Sequence, residues 1–178
     1  MLDTLITSKT RTRLLMKFFL NSRTTSYLRD LESEFGESTN AIRVELNRLE
    51  GAGLLTSNRE GNKKLFRANK KHPLYCDIHS LLLKHTGIDH IIEKVITGLG
   101  GLHSAYVTGS FARGQDNPVI DLLLVGEDID KIYLLKLVEK AEKYIHRKIR
   151  YVIIEPNELK KFLKEYDEAL LLWNNQQE

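Results

Sequence analysis

The sequence has few cysteines, the residues whose disulfides stabilise small secreted domains, and no apolar run long enough to cross a membrane. It contains one cysteine, Cys76, so no internal disulfide can form. No apolar stretch approaches the roughly 18 residues of a transmembrane helix, and the first 15 residues contain no segment of the signal-peptide type. These absences predict a cytoplasmic protein without membrane association. We interpret Cys76 as a small buried residue rather than a reactive thiol.

Acidic residues are scarce in the first part of the chain. The 178 residues carry a net charge of +3, yet residues 1–72 hold 14 Lys and Arg against 8 Asp and Glu, whereas residues 73–178 hold 13 against 16. This asymmetry predicts two modules and places any polyanionic partner on the first. The 6 histidines have no spacing with cysteines or acids that is typical of a zinc site, so we predict no bound metal.

Three amphipathic stretches before residue 52 predict three helices. Apolar residues recur at helical spacing within the ranges Thr10–Leu20, Tyr27–Phe35 and Thr39–Glu50. Ser38 is a suitable N-cap for the third helix, and Gly51 follows its last residue. Two strands, Leu54–Ser57 and Lys64–Ala68, flank a polar turn around Gly61, which predicts a hairpin.

Three helices followed by a hairpin have the layout of a winged helix-turn-helix. The stretch Ser38–Leu55, STNAIRVELNRLEGAGLL, resembles the recognition helix and following strand of bacterial winged-helix regulators. The resemblance implies a DNA-binding domain over residues 1–72, with double-stranded DNA as the partner. Residues 73–87 carry an apolar stripe and predict a connecting helix, which either packs on the α/β domain of its own chain or pairs with a partner chain.

The third helix has one face suited to a DNA major groove once Ile42, Leu46 and Leu49 are turned inward. Asparagine can pair with adenine, arginine with guanine, and valine can contact a thymine methyl group. The residues predicted to contact DNA from this helix are Ser38, Thr39, Asn40, Arg43, Val44 and Asn47. Those predicted to contact phosphates from the hairpin tip are Arg59, Asn62, Lys63 and Lys64. The alternative for both sets is a solvated polar surface.

The sequence leaves two roles, phosphate contact or a structural role, for three basic residues of the first helix: Arg11, Arg13 and Lys17.

Helices alternate with strands after residue 88, which predicts a small α/β domain over residues 88–178. The predicted strands are Ala105–Thr108, Val119–Val125 and Lys148–Ile154. The predicted helices are Ile88–Leu99, Asp130–Ile145 with Ile132, Leu135, Val138 and Ile145 inward, one that begins at Pro156, and Glu168–Trp173. The chain is therefore predicted to be α/β overall, an α+β chain of two domains.

The stretch Tyr106–Gly126 carries the hexapeptide GSFARG, Gly109–Gly114, followed by an acid on an apolar strand. This pattern resembles the small prokaryotic nucleotidyltransferases of the polymerase-beta type, over about residues 88–165. The resemblance implies a mixed sheet with flanking helices. It also implies a nucleotide-binding corner, with the residues Gly109, Ser110, Arg113 and Asp121.

Enzymes of that type need two carboxylates at i and i+2 on one strand and a third on a neighbouring strand, which together hold two Mg²⁺. Here Asp121 fills the first position and Leu123 the second, while Lys148–Ile154 contains no acid and Glu155 lies at its end. We therefore predict no catalytic residues and no resident cofactor, and leave weak binding of a Mg²⁺-nucleotide open. We expect the substitution Leu123→Asp to be tolerated if this end of the strand is open.

Structural roles compete with ligand contact at this corner. The Asp121 carboxylate can accept hydrogen bonds from the backbone of the Gly109–Ser110 turn, and Arg113 can pair with Asp116 or with Asp121.

The leading hypothesis is a sequence-specific transcription regulator that acts as a homodimer. Its second domain is inactive and serves dimerisation or the sensing of a nucleotide effector. The alternative is an active, antitoxin-like nucleotidyltransferase that a winged helix directs to its target, and an acid at position 123 would favour it. A third hypothesis is a protein–protein adaptor that uses neither site.

Overall fold

The computed structural model of the chain describes residues 5–166 and 168–175. It is a mixed α/β structure with two separate sheets. Its contacts divide the chain into two units, Met1–His85 and Thr86–Glu178. Among the described residues, no helix combines the length and the apolar character that crossing a membrane requires.

Three helices of the N-terminal unit form where the periodicity predicts them. Helix α1 (Lys9–Leu15) is capped by Ser8 and continues as a π-helical turn, Met16–Leu20. Helices α2 (Leu28–Phe35) and α3 (Thr39–Gly51) follow. Between them Gly36 has φ +62°, a left-handed conformation that ends α2 and that glycine adopts most readily.

The sheet of the N-terminal unit has three antiparallel strands in the order β1-β3-β2. Strands β2 (Leu55–Glu60) and β3 (Lys63–Ala68) form the predicted hairpin. Strand β1 (Thr25–Tyr27) pairs with β3. At this place the sequence predicts a polar turn and the start of a helix. The strand was missed because three residues are too few to show a strand pattern.

The connecting helix α4 (Tyr75–Thr86) packs through its first half on Phe19 of the N-terminal unit, a partner that neither predicted alternative names. The Tyr75 ring lies 5.7 Å from the Phe19 ring, and His79 Nδ1 lies 2.7 Å from the Phe19 carbonyl oxygen. Cys76 is exposed, so the prediction that it is buried is wrong. It follows Tyr75 by one residue, and the resulting turn of about 100° carries it off the packed face.

The C-terminal unit has a four-stranded mixed sheet in the order β6-β5-β4-β7. Its strands are β4 (Leu102–Thr108), β5 (Val119–Gly126), β6 (Lys148–Ile154) and β7 (Leu170–Asn174). Strand β5 runs parallel to β6 and antiparallel to β4, and β4 is antiparallel to β7.

Helices accompany this sheet, and those before β4 and after β5 lie within predicted ranges. They are α5 (Ile88–Ile91), which continues as a π-helical turn (Ile92–Ile96), α6 (Gly109–Ala112), α7 (Lys131–Ile145) and α8 (Leu159–Glu165), which follows a 3-10 turn (Pro156–Glu158).

Two predictions for the C-terminal unit are wrong. The stretch predicted as a last helix forms strand β7, because its short apolar run pairs with β4. Helix α7 buries Leu134 and Val138, whereas Ile132 and Leu135, which were predicted to face inward, are 72% and 50% exposed. The buried residues lie four apart and form one stripe, and sequence alone does not choose between that stripe and its neighbour.

Candidate functional site

The face of α3 that suits a DNA groove is exposed. Its predicted core residues Ile42, Leu46 and Leu49 are buried. The opposite side leaves four predicted residues exposed, namely Asn40, Arg43, Val44 and Asn47. The N-cap is formed by Ser38, whose hydroxyl accepts a hydrogen bond of 3.2 Å from the Ala41 backbone N–H. That hydroxyl is therefore already used inside the chain.

The exposed face of α3 and the hairpin tip line one cleft of about 480 Å³. Five predicted residues meet there, two from α3 and three from the hairpin: Arg43, Asn47, Asn62, Lys63 and Lys64. The other predicted residues lie outside the lining: Ser38, Thr39, Asn40, Val44 and Arg59. The fold thus joins two groups that lie about 15 residues apart in the chain.

Four residues at the start of α2 also line the cleft: Leu28, and three that the sequence does not single out, Tyr27, Arg29 and Asp30. Lys63 Nζ lies 5.4 Å from the centroid of the Tyr27 ring, and the Tyr27 hydroxyl donates to Glu60. Tyr27 therefore holds the hairpin tip beside α2. Only the pairing of β1 with β3 reveals this role, because β1 has no recognisable sequence pattern.

The three cations of the first helical segment that the sequence leaves open, Arg11, Arg13 and Lys17, all form ion pairs inside the chain, which gives them a structural role. Arg11 Nε lies 2.8 Å from Glu45 Oε2, and Arg48 Nη1 lies 3.0 Å from Glu45 Oε1. Two similar pairs join α1 to α2 and to the loop before α3, namely Lys17 to Glu34 at 2.7 Å and Arg13 to Glu37 at 3.0 Å.

Glu45 is the centre of this network and is only 6% exposed. Burial acts to raise the pKa of Glu45, but hydrogen bonds from Arg11 and Ser8, with the charges of Arg11 and Arg48, outweigh it and lower that pKa. The hydrogen bond between Arg11 and Glu45 raises the pKa of Arg11. Glu45 therefore stays ionised and fixes α3 against α1.

The hairpin is tied to the end of α3 by one carboxylate. Glu50 accepts hydrogen bonds of 2.6 Å from Lys64 Nζ and from the Ser57 hydroxyl. These bonds lower the pKa of Glu50. Lys64 is thus neutralised locally, whereas Arg43 and Arg59 make no ion pair within the part of the chain that the structure describes. Free cations therefore remain on the exposed face of α3 and on the hairpin.

The predicted nucleotide-binding corner of the C-terminal unit has the expected turn. Gly109 begins α6 with φ +63°, and a Cβ added there would lie 2.5 Å from Asp121 Oδ2. The turn therefore requires glycine, since a side chain would meet the carboxylate. Ser110 is half-buried, and its hydroxyl accepts a hydrogen bond of 3.3 Å from Asn117.

The Asp121 carboxylate pairs with a cation on the next strand. Asp121 lies opposite Arg150 in the register of β5 and β6, and Asp121 Oδ1 accepts a hydrogen bond of 2.7 Å from Arg150 Nε. This hydrogen bond raises the pKa of Arg150. Arg150 is thus the partner seen for Asp121, where we had expected the backbone of the Gly109–Ser110 turn.

Arg113 has a different partner from either one predicted. Its Nη1 lies 3.3 Å from Glu168 Oε2, while Asp116 lies 2.8 Å from Arg147. Arg113 therefore pairs with neither of the two acids named in the structural alternative to ligand contact. The reason is tertiary: Glu168 lies 55 residues away along the chain, and no local pattern reports that approach.

The position of the second metal-binding carboxylate is deep in the sheet. Leu123 is 1% exposed and lies between Tyr106 on β4 and Val152 on β6. The condition under which Leu123→Asp would be tolerated, an open strand end, is therefore not met. Over the described residues, no group of three or more His, Cys, Asp and Glu side chains is placed to hold a metal ion.

No protein-family model matches the chain, and none of the curated proteins matches it. Solved structures similar to it include a proposed nucleotidyltransferase from Sulfolobus solfataricus, with 21% identity, covering 56% of this chain and 88% of the other, and a TM-score of 0.39. A protein from Archaeoglobus fulgidus has 18% identity, covering 46% and 93%, with a TM-score of 0.38. A mutant of the MntA–HpeT toxin–antitoxin has 20% identity, covering 51% and 74%, with a TM-score of 0.38. These likenesses are too distant to assign a function.

Proposed function

We propose that the N-terminal unit is a winged helix-turn-helix that binds duplex DNA by sequence, and that the chain is a transcription regulator. One observation carries the proposal. The base-reading residues of α3 and the basic hairpin tip line one cleft, and Arg43 and Arg59 keep no acidic partner among the described residues. Glu45 and Glu34 pair instead with Arg11, Arg48 and Lys17, while Glu50 pairs with Lys64 of the hairpin.

The geometry of α3 suggests how it reads DNA. Arg43 and Asn47 are four residues apart, so they lie on one helix face about 6 Å apart along its axis. Successive base pairs lie about 3.4 Å apart, so this spacing is close to that of base pairs two steps apart, with arginine suited to guanine and asparagine to adenine. Lys63 and Arg59 on the hairpin would contact the backbone and add affinity without selectivity.

In this proposal the C-terminal unit performs no catalysis and serves dimerisation or ligand sensing. Strand β5 offers one carboxylate, Asp121, and that carboxylate already holds the guanidinium of Arg150 at 2.7 Å. Mg²⁺ binds through carboxylates and phosphates, and it would have to compete with this cation. A homodimer would let two α3 helices read half-sites about 34–36 Å apart.

The test is to capture fragmented genomic DNA from the source organism with the purified full chain at about 150 mM salt and to sequence the bound fragments. A few sharp peaks with a shared motif are expected, and a symmetric motif would indicate a dimer. The matched control is the double variant Arg43→Ala, Asn47→Ala, whose changes lie on exposed side chains. A featureless profile for the unsubstituted chain would refute sequence-specific binding.

A further inference from the structure

A second basic cleft lies on the N-terminal unit and shares no lining residue with the first. It encloses about 490 Å³, and four cations line it without any acid: Arg23, Arg67, Lys70 and Lys71. All four are exposed, and none forms an ion pair within the described part of the chain. Other cations of this unit, such as Arg11 and Lys17, are neutralised by carboxylates.

Hydroxyl groups flank the central arginine. Arg67 on β3 lies opposite Thr25 on β1 and opposite Thr56 on β2, so the three side chains share one face of the sheet. Both threonines line the cleft, as does Ser22. A guanidinium between hydroxyl donors is a suitable arrangement for phosphate oxygens.

Two asparagines fix the backbone from which the other cations project. Asn21 Oδ1 accepts a hydrogen bond of 3.1 Å from the Arg23 N–H, and Asn69 Oδ1 accepts one of 3.1 Å from the Lys71 N–H. Asn69 also donates to the Gly53 carbonyl at 2.8 Å. The cations therefore project from backbone that is already ordered, which reduces the entropy lost when a ligand binds.

The residues that line the cleft favour a phosphate group as the ligand over a nucleobase or another ring. Ala68 is the only apolar residue that lines the cleft, and no aromatic side chain does. Sites for small molecules are mostly apolar, and single-stranded bases need aromatic platforms. An open cleft with cations and hydroxyls alone suits a phosphodiester backbone.

We propose that this cleft, centred on Arg67, is a second nucleic-acid contact that binds the phosphodiester backbone independently of sequence. The identity of the polyanion rests on the proposed function, because the α3 cleft supplies the reason to expect DNA. Lys63 and Arg67 lie on the same face of β3, four residues and about 13 Å apart. Basic groups thus extend from the hairpin tip to the base of the sheet.

The test compares two variants of the full chain with equal charge. The cleft variant carries Arg23→Gln, Arg67→Gln, Lys70→Gln and Lys71→Gln. The control variant carries four changes at exposed lysines of the C-terminal unit that form no ion pair among the described residues: Lys136→Gln, Lys140→Gln, Lys160→Gln and Lys161→Gln. Each set removes four positive charges from a chain of net charge +3, which leaves −1.

Affinity for a random-sequence duplex is measured by fluorescence anisotropy over a series of salt concentrations. Each lost phosphate contact lowers the slope of log affinity against log salt by about 0.9, so the cleft variant should lose about two to four units of slope. The control should keep the slope of the unsubstituted chain. Equal melting temperatures would show that both variants are folded.

The outcomes separate this inference from the proposed function. Equal slopes for the cleft and control variants would overturn the cleft, and so would a failure of the unsubstituted chain to bind duplex at about 50 mM salt. Selectivity between captured and random fragments tests the α3 face separately, and its loss would leave a cleft-dependent slope intact. Calorimetric titration with inorganic tripolyphosphate completes the test, since one-to-one binding tighter than that of the duplex would indicate a small phosphorylated ligand and overturn a backbone contact.

Discussion

The cleft beside α3 and the corner around Asp121 both contain polar and charged side chains. They differ in whether those side chains are paired within the chain. On α3, Arg43 and Asn47 are exposed, and Arg43 has no acidic partner among the described residues. At the corner, Asp121 pairs with Arg150 at 2.7 Å, and Arg113 with Glu168 at 3.3 Å. A sequence motif therefore indicates which groups a region contains, while the tertiary partners decide whether those groups are available to a ligand.

The two regions also differ in what surrounds their key positions. The exposed face of α3 lies opposite a buried row of Ile42, Leu46 and Leu49, so its outer side chains can change without disturbing the core. The second carboxylate position of the corner, Leu123, is itself part of the core. Substitutions should therefore alter binding in the first region and stability in the second.

The largest expected effect is the loss of stability on Leu123→Asp. A carboxylate without a partner at a site that is 1% exposed should lower the free energy of unfolding by about 3–5 kcal/mol. Urea unfolding followed by fluorescence of the single tryptophan, Trp173 on β7, reports on this unit. Leu171→Asp on the same unit, at a side chain that is 45% exposed, should cost far less. An equally small loss of stability for Leu123→Asp and Leu171→Asp would mean that position 123 is accessible and that the corner can accept a second acid.

The next effect is on DNA selectivity. Arg43→Ala or Asn47→Ala should weaken binding to the captured site by about 1–3 kcal/mol and leave random DNA almost unaffected. Anisotropy titrations with both duplexes measure the ratio. Arg48→Ala is the control, because Arg48 lies on the same helix but pairs with Glu45 outside the cleft lining. A parallel loss on both duplexes would show that α3 contacts phosphates only.

Much of the fold follows from local sequence patterns. Helices α1 and α3 begin at serine caps, and their buried faces follow helical spacing, so the row of Ile42, Leu46 and Leu49 was correctly predicted. Strand β6 has the predicted limits. These features depend on neighbours within a few residues, which is the range that periodicity and capping report.

Non-local pairing explains the failures. Strand β7 forms because its short apolar run meets β4, although the same run fits a helix equally well. Asp121 and Arg150 are 29 residues apart in the sequence, and only the parallel register of β5 and β6 brings them together. The outward position of Ile132 on α7 likewise depends on which stripe of the helix meets its neighbours.

A smaller effect should come from Glu45→Gln, with a defined dependence on pH. The folded state lowers the pKa of Glu45, so the carboxylate contributes stability above the ordinary glutamate pKa of about 4.3 and loses that contribution as the pH falls through the lowered value. We expect a loss of about 1–2 kcal/mol at pH 7 that shrinks toward pH 3. Urea unfolding followed by circular dichroism at both pH values measures it, with exposed Glu139→Gln as the control. An equal loss at both pH values would show that the charge of Glu45 is not responsible.

The smallest effect should follow Arg150→Gln, which removes the ion-pair partner of Asp121. The Arg150 side chain is 72% exposed, so its pair with Asp121 should contribute little to stability, and the melting temperature read from Trp173 fluorescence should barely change. The substitution nevertheless frees the only carboxylate on β5. A single carboxylate holds Mg²⁺ weakly, so millimolar Mg²⁺ should shift the melting temperature of neither the unsubstituted chain nor the variant. A rise in the variant alone would show that Arg150 occupies a latent cation site. A rise in the unsubstituted chain would mean that the corner is as available to ligands as the face of α3, and the contrast between the two regions would no longer hold.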